Sequence, residues 1–355
     1  AAPIAGVLVA GAAIVAAWWL GDAPPRQSGV EAVRKSAYVP SVRAHELYLE
    51  GLHQRSRRDI NASTLAREKF EAAVREDPNY PAAWAALGEV LSGTVIRQMV
   101  PPGEQVEKAR AAARRAIELD PDLVEAHTLM GQIYMDHDKD FARAEQEYAR
   151  ALALNDKSAR LWHFHGMWLG QLGRTDDALA ALRRARELEP MTLLFSGNYA
   201  LLLYETRHYD EAIAFLQPLV AANESFYEAR TILARSLMAT GDLQGALELL
   251  EGTTDPGAYS SDLGVLYARM GRRGDALRVV DGLTQRAQAG FGVAYGLALI
   301  HTALGDLDLG CKFLLEAVDD GSLHVNWIRL EPWIDPLRGR QCYAEADAKL
   351  FRGMK

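Results

Sequence analysis

Gly166, Ala200 and Ala234 stand 34 residues apart, and Ala178, Ala212 and Ala246 keep the same interval. Gly264 with Ala298, and Ala276 with Gly310, repeat it further along the chain. No other feature constrains the fold as much, because a fixed period of this length marks a repeated supersecondary unit. Such a unit buries its apolar face only against copies of itself. Within each unit the two small positions are 12 apart, so a small side chain on a first helix meets a small one on a second and the pair approaches closely. Bulky residues recur around them: Trp162, Leu169 and Leu182 in one unit, Leu263, Tyr267 and Val280 in another. Asp-Pro or Glu-Pro closes several units, at Pro78, Pro121 and Pro190, where proline stops one helix or begins the next. From about residue 43 the pattern predicts helix almost throughout.

These positions resemble the tetratricopeptide repeat. The second unit supplies Trp84, Leu87, Gly88, Leu91, Ala109, Ala113, Ala116 and Pro121, and the third supplies Leu129 or Met130, Gly131, Tyr134, Ala144, Tyr148 and Ala151. The resemblance implies an all-α fold, a right-handed α-solenoid of about eight repeats over residues 43–321 with a concave inner face. The units fall at 44–79, 81–122, 124–157, 159–192, 193–226, 227–256, 257–290 and 291–321. The first two carry extra residues between their small positions, and the sixth is short. Residues 322–355 are expected to cap the last repeat, with Trp327 and Trp333 covering its open apolar end.

At the amino end, "AAPIAGVLVAGAAIVAAWWLG" (residues 1–21) holds no charge. As a helix it spans roughly 30 Å, the thickness of a bilayer's hydrocarbon core. Trp18 and Trp19 lie at its end, where amphipathic rings favour the interface. The expectation is a transmembrane helix over 1–21 and a linker over 22–42, whose three prolines and Ser-Gly step suit a tether.

The flanking detail is similar to a large bacterial family. "AHELYLEGLHQRSRRDINASTLAREKFEAAVREDPNYPAAWAALGEVL" resembles the first repeats of the membrane-tethered sensor regions of CadC-like winged-helix regulators and adenylate cyclases. The terminal segment from Trp327 to Arg338 resembles their closing segment. Many relatives carry a TolB-like α/β segment before the repeats, and here only the short linker stands there. The resemblance implies a single-pass protein of the bacterial inner membrane and a signalling domain preceding residue 1; the sequence leaves the side of the repeats undetermined, with the periplasmic side favoured.

Chemistry is discouraged. Neither His-Glu-x-x-His, nor a phosphate-cradling glycine loop, nor Gly-x-Ser-x-Gly occurs, so no enzyme, cofactor or metal is expected. Asp136, Asp138 and Asp140 are spaced like calcium ligands, but Phe141 takes the place that a calcium loop gives to glycine. In "WHFHGMW", His163 is expected to face the concave side and His165 to pack between helices; both titrate near neutral pH in the open. Cys311 and Cys342 form one bridge or remain two thiols. With 39 basic against 47 acidic residues the net charge is -8, which argues against nucleic acid as a partner.

A protein or peptide in the groove is the expected partner. Repeat phase places Glu125, Thr128 and Gln132 there in the third unit, and Arg160, His163 and Met167 in the fourth. Tyr204 and Glu205 follow in the fifth, Glu228, Thr231 and Arg235 in the sixth, and Arg269 in the seventh. Mixed charge with Met and Tyr suits such a surface. The leading function is thus a noncatalytic membrane-anchored interaction scaffold or sensor. The alternatives are an accessory subunit of a membrane complex, its span packed through Gly6 and Gly11 against other subunits, and the sensor part of a transcriptional regulator.

Overall fold

Eight helical hairpins follow one another from Val42 to Ala317. In the computed structural model, which describes residues 38–56, 60–97, 99–223, 226–251, 260–320 and 322–352, the first four pair α1 (Val42–Ser56) with α2 (Ile60–Glu76), α3 (Pro81–Ile96) with α4 (Gly103–Leu119), α5 (Val124–Ile133) with α6 (Phe141–Leu154), and α7 (Ala159–Gln171) with α8 (Thr175–Leu188). The next four pair α9 (Leu193–Glu205) with α10 (Tyr209–Ala222), α11 (Tyr227–Thr240) with α12 (Leu243–Glu251), α13 (Ser260–Arg269) with α14 (Arg273–Gln288), and α15 (Ala294–Ala303) with α16 (Leu307–Ala317). Each odd-numbered helix packs on its even partner and on the next odd-numbered helix, so the array is a solenoid. Two short 3-10 helices, Leu323–Trp327 and Pro332–Leu337, then lead to α17 (Gln341–Leu350). The expected membrane span over 1–21, with Trp18 and Trp19, lies outside the described residues, and among those described no helix is long and apolar enough to cross a bilayer.

Small residues permit the close helix pairs. A Cβ placed on Gly166 would stand 2.9 Å from Leu182 and 3.2 Å from the Ala178 carbonyl; one on Gly310 would stand 2.6 Å from the Thr302 hydroxyl. Ala178, Ala200, Ala212, Ala234, Ala246, Ala276 and Ala298 are all fully buried. Gly131 offers a clean test, since a Cβ there would come within 2.8 Å of the fully buried Tyr148 ring. Gly131→Ala is expected to cost about 1–3 kcal/mol through overpacking, read as a lower urea midpoint at unchanged slope; an unchanged midpoint would mean that the hairpin tolerates the extra methyl.

The hairpin turns keep the period too. Lys139, Gly173, Arg207 and Gly241 follow at intervals of 34, all in the left-handed backbone region with φ of 54°, 78°, 64° and 96°. Glycine adopts that conformation freely and other residues do not. The two non-glycine members share a reason. Lys139 donates through Nζ to the Val318 carbonyl at 2.7 Å, beyond the end of α16. Arg207 forks onto both carboxylate oxygens of Asp335 at 2.8 and 2.6 Å. Both side chains tie middle hairpins to the carboxyl end.

The carboxyl-terminal segment does more than the expected capping. It runs back across the inner face of the solenoid. Asn326 is fully buried and donates to the Met135 carbonyl at 3.1 Å. Trp327 packs over α7, where a Cβ on Gly170 would meet its ring at 3.0 Å. Trp333 meets Tyr204 of α9 edge-on, with ring centroids 6.2 Å apart. Phe351 packs on Phe141 of α6 at 4.9 Å. The two tryptophans therefore also fill a groove along α7, α9 and α11, while the second 3-10 helix and α17 pack on the last hairpin.

Cys311 and Cys342 are bridged, with a Cα–Cα distance of 5.5 Å and a sequence separation of 31. The bridge fastens α17 to α16, and Arg340 to Asp308 at 2.7 Å supports the same contact. Closing a loop of that length stabilises by about 2–4 kcal/mol. Cys342→Ser should lower the denaturant midpoint accordingly, and dithiothreitol should bring the unmutated chain down to the same value while leaving the variant unmoved.

Candidate functional site

The odd-numbered helices turn one face towards a cavity of about 230 Å³. Arg55 comes from α1, Glu89 from α3, Gln132 from α5, Met167 from α7 and Thr231 from α11, and the returning segment closes the far side with Trp327. Six successive hairpins thus contribute to one space, which only a curved stack can arrange.

Charge in the cavity is divided. Towards the first hairpins, Glu89 lies between two arginines, Arg55 at 2.6 Å and Arg160, and Arg97 bonds the Ser63 hydroxyl. Burial lowers the Arg55 guanidinium below its ordinary pKa, against the pull of Tyr48, Glu189 and Glu125. Phe164, Met167, Leu201, Ile232 and Trp327 add apolar surface to the same cavity.

On the third hairpin α5 continues into one turn of π-helix, Tyr134–Asp138. Such turns are rare and frequently occur at functional sites. Here the wider turn brings Asp136 to the cavity. Burial pushes its carboxyl up to about 7, opposed by hydrogen bonds from the side chains of Gln171 and Gln132. Its neighbours in the sequence go elsewhere. Asp138 takes a two-pronged bond from Arg110 at 2.8 and 2.7 Å, and Asp140 caps α6 by accepting from the Arg143 amide at 3.0 Å. The three carboxylates that were spaced like calcium ligands therefore diverge. His137 turns inward as well, and burial takes its imidazole down to about 4.

A second polar cluster fixes the returning segment. Arg235 of α11 donates to Asp262 of α13 at 2.7 Å and lies 3.6 Å from Glu331. Glu331 also accepts from the Tyr204 hydroxyl at 3.0 Å and from the Trp333 amide at 3.1 Å. Burial opposes the charge on Arg235, but Asp262 and Glu331 hold its pKa well above the ordinary value. Burial raises Glu205, Asp262 and Glu331 in turn. Beside this cluster lies a cavity of about 40 Å³, lined among others by Glu205, Tyr295 and His324, and burial takes the His324 ring down to about 4.

Seven of the twelve expected groove residues line the larger cavity: Gln132, Arg160, His163, Met167, Glu228, Thr231 and Arg235. Glu205 lines the smaller one. Thr128 is buried with its hydroxyl on the Val124 carbonyl at 2.7 Å, and Tyr204 is fully buried against Glu331. Glu125 and Arg269 are exposed and line neither cavity. These four do not join the others: repeat phase fixes which helix face turns inward, but not which inward positions are filled by the chain itself. His163 lines the cavity, its Nε2 3.3 Å from the Asn198 amide. His165 stacks on Trp168 with centroids 5.4 Å apart, where burial takes it down to about 4.

Asp136, Gln171 and Glu331 were not anticipated as groove residues. Asp136 had a signal, an acidic residue inside a helix-forming apolar stretch. Glu331 had a weaker one, a lone acid between two tryptophans.

Comparison with known proteins identifies the repeat. The tetratricopeptide repeat profile matches residues 103–159, 166–222 and 200–260, so these stretches are similar to tetratricopeptide repeats. Superkiller protein 3 of Schizosaccharomyces pombe is 25% identical over 247 residues, 59% of this chain and 18% of that protein; the chain thus spans under a fifth of its relative's length. Among solved structures, a monomeric mutant of IFIT1 with Gppp-AAAA superposes with a TM-score of 0.55 at 16% identity, covering 86% of this chain and 71% of that one. The human IFIT1 dimer with PPP-AAAA gives 0.52 at 17%, covering 72% and 68%. At these identities the likeness is one of fold. The finer resemblance to membrane-tethered sensor regions stays an expectation of the sequence.

Proposed function

We propose that the chain is a noncatalytic interaction module that takes a peptide or an extended protein segment into the groove over its first six hairpins. The observation that carries this reading is a single cavity fed by six hairpins and lined by both apolar and charged side chains. The returning segment supports it from within the chain. It is itself a short stretch in 3-10 turns, anchored by Trp327 and Trp333 in the same inner face, which is the way aromatic anchors hold an interface.

The uncharged run over 1–21 remains the reason to propose a membrane tether. The Cys311–Cys342 bridge supports an oxidising surrounding for the repeats, as the periplasmic side of a bacterial inner membrane provides. A random peptide library selected on the purified chain tests the groove. Selected peptides should lose at least about tenfold in affinity to Met167→Arg, which puts a charge on the apolar lining, and nothing to Glu187→Arg on the exposed face of α8. Equal loss in both variants, or none in either, would put the interaction elsewhere.

A further inference from the structure

We propose that the Asp136 wall of the cavity is a receptor for one cationic group, an alkylammonium or a guanidinium, carried by a peptide lying in the groove. This rests on the reading of the groove just given and adds a chemical class to it.

Three observations converge. First, Asp136 lines the cavity with no basic partner among the described residues; both of the groups that hydrogen-bond it, Gln132 and Gln171, are neutral amides. Buried carboxylates are ordinarily paired, and the cavity's arginines are engaged elsewhere: Arg55 and Arg160 on Glu89, Arg235 on Asp262 and Glu331, and Arg97 on the Ser63 hydroxyl. Second, Gln132 and Gln171 are only 4% and 3% exposed, and the side-chain carbonyl oxygen of each is buried without a donor. An amide that gives its N–H to the carboxylate keeps its oxygen as an unfilled acceptor, so the cluster holds acceptors only: one carboxylate on the cavity wall and two buried amide oxygens beside it. A buried acceptor left unsatisfied costs about 1–3 kcal/mol, and a cation seated on the carboxylate brings donors and positive charge to a cluster that has neither to spare. Third, the space fits. About 230 Å³ takes a side chain and part of its backbone, and the apolar stretch by Met167 and Trp327 suits the methylene stem of a lysine or arginine.

A divalent metal suits the cluster less well. Such ions collect several anionic oxygens, whereas here a single carboxylate already accepts from two amides. Its raised pKa agrees with an anion that lacks its counter-ion.

Two arms of one experiment separate a peptide side chain from a free amine. In the first, the random library is selected in parallel on the unmutated chain and on Asp136→Asn. Peptides from the unmutated chain should share a lysine or arginine at one position. Replacing that residue by norleucine should weaken them at least about tenfold, and Asp136→Asn should bind both forms alike. In the second arm, butylammonium is titrated calorimetrically, with 1-butanol as the uncharged control. Butylammonium should bind the unmutated chain, fail on Asp136→Asn and weaken several-fold on Gln171→Met, which removes one acceptor and leaves the charge.

Selected peptides with no basic position, or with one that Asp136→Asn binds equally well, overturn the proposal. Butylammonium binding to the unmutated chain alone, with no peptide selected by either chain, makes a free amine the ligand; the cationic receptor then stands and the peptide reading of the groove falls. No response in either arm removes both.

Discussion

Arg235→Met is expected to destabilise the chain by about 3–5 kcal/mol, the cost of leaving a buried charge without its partner. Methionine keeps most of the volume and stays clear of the packing on Tyr204 and Trp333, over which the guanidinium lies at 5.9 and 5.1 Å. What it removes is the one cation facing Asp262, which is fully buried, and Glu331, which is 2% exposed. Glu205, 2% exposed on α9, feels the same guanidinium. Three buried carboxyls would then have no buried cation to face. Because Glu331 belongs to the returning segment, the segment should loosen with the network. Limited proteolysis between 322 and 340 should therefore rise along with the loss in denaturant midpoint. The double variant Arg235→Met, Asp262→Asn should recover part of the loss, since it withdraws one of the orphaned charges; strictly additive changes would show that the two residues do not act as a pair. A loss below about 1 kcal/mol for Arg235→Met alone would mean that the carboxyls are already neutral in the folded chain.

Much of this architecture was legible because small residues at fixed intervals cannot be read in many ways. Gly131 against Tyr148 and Gly166 against Leu182 are consequences of a period visible in the letters alone. The helix faces followed from the same phase. Less legible was what fills the inner face. Tyr204 and Glu205 occupy inward positions of α9, yet Tyr204 bonds Glu331, 127 residues away. Contacts at such separation leave no periodic trace. The turn position did leave one: glycine at 173 and 241 gives way to Lys139 and Arg207. Each substitution breaks a local conformational preference, and each is repaid by a contact with the carboxyl end. A departure from the repeat at a place where backbone geometry should enforce it is thus a sign of tertiary closure. Asp136 escaped for a related reason. Its spacing to Asp138 and Asp140 suggested one joint role, while a π-helical turn, invisible in the sequence, sends it alone into the cavity.

Asp136→Asn gives the second large effect, and its sign depends on pH. In the unfolded chain this carboxyl titrates near 3.8; in the folded chain burial raises it to about 7. A carboxyl raised on folding favours the native state while both forms hold the proton, and that contribution is lost as pH climbs through the folded value. Across the interval from 3.8 to about 7, at about 1.4 kcal/mol per pH unit, the penalty accumulates to an upper bound of ~4 kcal/mol. Asparagine has no proton to lose. Relative to the unmutated chain, Asp136→Asn should therefore gain about 2–4 kcal/mol on going from pH 4 to pH 8, with most of the change between pH 4 and 7. Urea midpoints of both proteins at several pH values measure it directly. The buried histidines 137, 165 and 324, lowered to about 4, pull the other way on acidification, but they are common to both chains and cancel in the difference. A flat difference would place Asp136 in contact with water or with a cation in the folded state. A cationic ligand makes the same prediction from the other side. By supplying the missing counter-ion it should lower the Asp136 pKa and flatten the difference, so the pH profile taken with and without bound ligand reads the occupancy of this one carboxylate.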